Sequence, residues 1–172
     1  MSVHIPLPAD SELSEPVRQR LATLPPFNVF RMMANAPASF VPLIDFAMSI
    51  LIQSELDPRE REIAILRVAQ ATGARYEWEH HVTIARGVGV TDAEIAAIAE
   101  AKPGAALDEA GKLLCRVADE ISLDVRLSDD ALAAVLARYG TRQATELILC
   151  VSYFNMVSRF LESTRTQLET AG

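Results

Sequence analysis

Asp57-Pro58-Arg59-Glu60-Arg61-Glu62-Ile63-Ala64-Ile65-Leu66-Arg67-Val68-Ala69-Gln70-Ala71-Thr72-Gly73 is the segment from which the rest of the chain is read. Asp57 is a side-chain acceptor set before a proline, whose fixed φ and missing N–H suit the first helical position. Glu60 stands where a capping-box carboxylate belongs. From Arg61 to about Thr72 the apolar residues point in nearly every direction, so the pattern predicts a central helix buried on most sides. Gly73 ends it. Glu62, bordered by Ile63, Leu66 and Ala69, is the anomaly, because a carboxylate there must reach water, a cation or a donor. A salt bridge at the helix start, aided by the helix dipole, satisfies that need. So does a role in a cleft, as a carboxylate kept for chemistry.

Outward from this helix the same local signals repeat. A second helix is expected over about Arg75 to Arg86, stopping at Gly87 or Gly89. Thr91-Asp92-Ala93-Glu94 is a capping box opening a third helix, which ends before Pro103-Gly104. Further helices are expected from Asp108 to Ile121 and from Ser128 to Arg138, the latter closed by Tyr139-Gly140. The last begins at Thr141, is long, and carries an apolar face through Leu147, Leu149, Val151, Phe154, Val157 and Phe160. Eight of the nine prolines lie at or before Pro58, so the N-terminal third reads as short helices and turns. No period-two stretch and no Asn-Gly or Asp-Gly turn signals a hairpin. The fold class is all-α, a helical bundle with a long C-terminal helix. Residues 1–23 form an arm and short helix, and 24–172 a single domain.

Composition narrows the function. With 172 residues, half of them apolar and only 6% aromatic, there is material for one core of packed helices. The net charge of −7 and the absence of Lys/Arg runs speak against nucleic acid and anionic lipid. Neither a signal peptide nor a membrane span is expected. Cys115 and Cys150 fall in apolar helical runs without CxxC spacing, as reduced buried thiols of a cytoplasmic protein do.

Chemistry concentrates in Tyr76-Glu77-Trp78-Glu79-His80-His81. On a helix Glu77 and His81 share a face, as do Tyr76 and His80. The first pair is either an ordinary surface pair or a carboxylate holding an imidazole for general acid work. Glu77-x-x-His80 matches half of a di-iron carboxylate motif, but no second Glu-x-x-His exists, and the one remaining histidine is His4. No metal and no cofactor are expected.

Glu62, the break at Gly73, the Tyr-Glu-Trp-x-His-His segment and the trailing Ile84-Ala85-Arg86, Gly89-Val90-Thr91 and Glu94-Ile95 together resemble the carboxymuconolactone decarboxylase family, which includes alkylhydroperoxidase-D-like proteins. Phe27 to Pro37 and Tyr153-Phe154-Asn155-Met156 add flanking matches, so the resemblance covers about residues 24 to 165. The family's peroxidase branch carries a Glu, a Cys-x-x-Cys and a His four residues later. Here the His falls on His81 and the Glu on Glu62, whereas the cysteine positions hold Ala74 and Glu77. The resemblance therefore implies the cofactor-free decarboxylase side: a small carboxylated lactone or related enolisable acid, with proton transfer by Glu62 and His81. Glu62 or Glu77 would tune His81, and Tyr76 or His80 would donate to a developing oxyanion. Arg75, Arg31 (or Arg86 or Arg159) and Asn155 are candidates for holding the substrate. A homotrimer or homohexamer is the expected assembly. The alternatives are an alkylhydroperoxidase-like protein with lost thiols and a non-catalytic small-molecule-binding oligomer. Counted from Gly73, Glu62 and His81 sit at heights that differ by about one turn, so their side chains are expected to converge.

Overall fold

The structure, a computed structural model, describes residues 3–169. A short 3-10 turn at Asp10–Glu12 precedes eight helices: α1 (Glu15–Leu21), α2 (Asn28–Met33), α3 (Pro37–Ile52), α4 (Pro58–Thr72), α5 (Arg75–Gly87), α6 (Asp92–Ala99), α7 (Glu109–Leu123) and α8 (Asp129–Thr164). No strand occurs among the described residues.

Helix α4 is the axis of the molecule. Asp57 caps it, accepting from the N–H groups of Arg59 and Glu60. Every residue from Arg61 to Ala69 is buried, because α5, α6, α7 and α8 all pack against it. The expected capping box is only half formed: Glu60 turns instead to Arg138 of α8, 2.9 Å away. At the other end Gly73 adopts a left-handed conformation (φ 68°), and the N–H of Ala74 reaches back to the Ala69 carbonyl at 2.9 Å. That closure favours glycine, and it turns the chain straight into α5.

The N-terminal third departs from expectation. Helix α3 runs sixteen residues through Pro42. One absent N–H near the helix start is outweighed by a continuous buried face of Phe40, Ile44, Ala47 and Ile50. The N-terminal arm is tied to the other end of the chain, with the Ile5 N–H on the Thr164 carbonyl at 3.1 Å, and Leu13 and Val17 join the core.

Helix α8 is continuous except at Gly140, whose backbone (φ 66°, ψ 177°) is not helical, so two helices meet where the Tyr139-Gly140 break was expected. Along its second half the buried face is Leu147, Val151, Phe154, Val157 and Leu161. Leu149 does not belong to it and is 44% exposed. Two residues on a helix turn the side chain by about 200°, which puts Leu149 opposite Leu147 and Val151. No helix among the described residues is long and apolar enough to cross a membrane.

Candidate active site

Glu62 lies one turn into α4 and His81 two turns into α5. The turn at Gly73 sets these helices side by side, and the side chains meet: His81 Nδ1 is 2.7 Å from Glu62 Oε2. Glu62 is 1% exposed and His81 8%. A carboxylate only accepts, so the proton in this contact sits on Nδ1, and Nε2 is left with its lone pair or with the second proton of an imidazolium. Nε2 makes no hydrogen bond among the described residues. The ring is fixed from its other side by Phe154, which meets it edge-on with centroids 5.0 Å apart.

A second charge stands behind the pair. Arg61 is buried, and its Nε is 3.8 Å from Glu62 Oε1, a charge contact without a hydrogen bond. Arg61 is not among the site residues expected from the sequence. Its only signal was a cation beside an anomalous carboxylate.

His81 forms part of the wall of a cavity of about 120 Å³ between α2, α3, α5 and α8. Phe30, Met33, Met48, Leu51, Phe154 and Val157 contribute most of the remaining wall, and no Arg or Lys lines it. The polar groups there are Tyr76, Glu77, His80, His81 and the hydroxyl of Tyr153. A larger groove of about 520 Å³ lies at Asp10 to Arg31 and shares Phe27 with this cavity, but none of these polar groups lines it.

Several expected site residues take other roles. Glu77 does not hold His81. Its Oε2 accepts a hydrogen bond from Ser158 of α8, its Oε1 has no partner, and burial drives its carboxyl up to about 8. Glu62 has taken the place beside the imidazole. Tyr76 donates to Glu169 Oε1 at 2.5 Å and accepts from the Val29 N–H, so its single proton is committed. His80 stacks between Tyr76 and Phe27, with ring centroids 4.5 Å apart on each side. Its Nε2 lies 2.9 Å from Glu169 Oε2 without the alignment of a hydrogen bond. Glu169 thus ties α5 to the start of α2. Burial acts to raise its carboxyl, but the bonds from Tyr76 and Asn28 and the charge of His80 prevail and hold it low.

None of the expected substrate-binding residues reaches the cavity. Arg31 donates to the Pro8 carbonyl at 2.6 Å and pairs with Asp10, fastening the N-terminal arm. Arg75 is exposed on the outer face of α5 and lies 3.9 Å from Glu79. Arg86 pairs with Asp92 at 2.8 Å. Asn155 is buried between α7 and α8, donating to Ser122 Oγ (2.9 Å) and the Val151 carbonyl while accepting from Arg159. The arginines were nominated by their chemistry and Asn155 by the resemblance; Arg31, Arg86 and Asn155 are held by structural contacts, whereas Arg75 stays exposed outside the cavity.

The helical arrangement defines a class, the alkylhydroperoxidase AhpD fold. An uncharacterized peroxidase-related protein with the AhpD core from Ralstonia eutropha JMP134 superposes with a TM-score of 0.84 at 17% identity, over 96% of this chain and 92% of that one. A peroxidase-related protein from Silicibacter sp. TM1040 gives 0.80 at 16%, over 98% and 91%. A cysteine-to-alanine variant of the debrominase Bmp8, in complex with 2,3,4-tribromopyrrole, gives 0.76 at 21%, over 99% and 94%. At these identities the likeness is one of fold. Residues 37–119 match the model of the carboxymuconolactone decarboxylase family. No curated protein matches the chain.

Proposed function

We propose that this protein is a cofactor-free acid–base enzyme that moves one proton between His81 and a carbon of a small enolisable acid, in the manner of a decarboxylase. The supporting observation is the Nδ1–Oε2 contact of 2.7 Å, which fixes the imidazole and frees Nε2 at the wall of a small cavity. Decarboxylation breaks the bond between the carboxylate carbon and the adjacent carbon, and its electron pair stays behind as an enolate. The His81 imidazolium then gives its Nε2 proton to that carbon, leaving neutral imidazole still bonded through Nδ1 to Glu62. The apolar wall suits this step. A localised carboxylate is poorly solvated there, whereas the charge that develops is spread over carbon and oxygen. The absence of a cationic clamp fits a carboxylate that must leave.

Thiol chemistry has no comparable support. Cys115 and Cys150 are buried, do not line the cavity, and are both pushed up to about 12 by burial. Neither provides a thiolate near neutral pH.

A lactone bearing a carboxylate beside its carbonyl, 2-carboxy-γ-butyrolactone, tests the reading in deuterated water by NMR. Wild type should release carbon dioxide and leave one deuterium on the product carbon. His81→Gln and Glu62→Gln should each lower the rate by about 10²–10⁴-fold. A full rate in His81→Gln, or no turnover by wild type, counts against it.

A further inference from the structure

We infer that Tyr153 is the hydrogen-bond donor to the substrate's carbonyl oxygen, acting through its phenolic O–H while His81 works on the neighbouring carbon. The inference rests on the acid–base reading above. It supplies the second contact that enolate chemistry requires, a donor at the oxygen where the charge collects.

The geometry of α8 places the side chain. Tyr153, Val157 and Leu161 recur every four residues, so they leave the helix on one face, and all three line the cavity. Phe46 of α3 and Phe154 hold the Tyr153 ring almost at right angles to their own, with centroids 5.5 and 5.3 Å away. Phe154 holds the His81 ring in the same way, at 5.0 Å. One aromatic side chain thus fixes both groups. The cavity of about 120 Å³ has room for one small ring, so a molecule that fills it meets both.

The state of its hydroxyl sets Tyr153 apart. The residue is 6% exposed and its hydroxyl makes no hydrogen bond among the described residues, yet the oxygen stays open to a water-sized molecule. The other candidates are taken or sealed. Tyr76 gives its proton to Glu169, while Glu77 Oε1 and His80 Nε2 are both closed to water. A phenol has one proton to donate, and here no protein group claims it. In a wall that is largely apolar, an O–H without a partner is where a ligand's oxygen gains most. Burial, with the charge of Glu77 on α5 adding to it, pushes the phenol up to about 12, so it meets the substrate as a neutral donor.

Tyr153→Phe in the full chain keeps the ring and its contacts and removes only the hydroxyl, so the variant should melt with wild type. A clearly lower Tm means that the hydroxyl serves the fold, and overturns the inference. The site is then read by infrared spectroscopy with γ-butyrolactone labelled with ¹³C at the carbonyl. Its band should lie at lower frequency in wild type than in Tyr153→Phe, and binding to the variant should be no more than about tenfold weaker. An unchanged band, or no binding to wild type, overturns it. With 2-carboxy-γ-butyrolactone, kcat should fall by about 10²-fold in Tyr153→Phe, more than binding does, because an enolate oxygen draws the donor more strongly than a carbonyl. The two readings fail separately. Turnover that needs His81 but is indifferent to Tyr153→Phe sinks this inference alone, while a Tyr153-dependent carbonyl shift without His81-dependent turnover sinks the acid–base reading.

Discussion

Glu77 carries a pH signature that can be measured without any substrate. Its carboxyl stands at about 8 in the folded chain against an ordinary 4.5. Between those values the unfolded chain has released a proton that the folded chain keeps, so stability falls as pH rises through this window and levels off above it. Below about 4.5 both states hold the proton and the contribution is complete. Glu77→Gln abolishes this dependence. Chemical denaturation should find the variant gaining on wild type from pH 5 to 8, by a few kcal/mol in all, to order of magnitude. Parallel pH profiles for the two proteins contradict the assignment. That Glu62 and His81 meet was legible in the sequence, since both are counted from one turn and helical rise is fixed. Glu77 was misread, because its choice of Ser158 over His81 depends on how α8 lies across α5, and no spacing along the chain encodes that. The same holds for Tyr76, whose proton goes to Glu169 at the far end of the chain.

Helices α4 and α5 were the most readable elements, since proline, cap and glycine signals act within a few residues. What failed there was long-range. Glu60 left its capping box for Arg138, and Pro42 did not break α3. Arg67 also escaped notice: it is buried in α4, bonded to Asp119 at 2.6 and 2.9 Å and to the Ile98 and Glu100 carbonyls, so it caps the end of α6. The turn between α4 and α5 gives a clean test. A Cβ added at Gly73 meets nothing within 4 Å, so Gly73→Ala costs only the left-handed backbone strain. About 1 kcal/mol is expected, seen as a fall in Tm of roughly 2–4 °C. A variant as stable as wild type means that the turn is not held in this conformation.

As a whole the chain shows apolar side chains that its own fold does not cover. Phe46 and Ile52 of α3 and Leu136, Leu149 and Met156 of α8 are all at least 40% exposed. Copies of the chain packing through these helices, in a trimer or a hexamer of trimers, would cover them. Light scattering at micromolar concentration should return three or six times 18.8 kDa, and a monomer of 18.8 kDa contradicts the assembly. The packing of four helices around α4 has one chemical consequence, the orientation of a single imidazole, and ¹⁵N NMR of the His81 ring reads it directly. The account predicts that neutral His81 carries its proton on Nδ1, in a strong hydrogen bond lost in Glu62→Gln, with Nε2 unprotonated. A neutral ring protonated on Nε2, unaltered by Glu62→Gln, contradicts it.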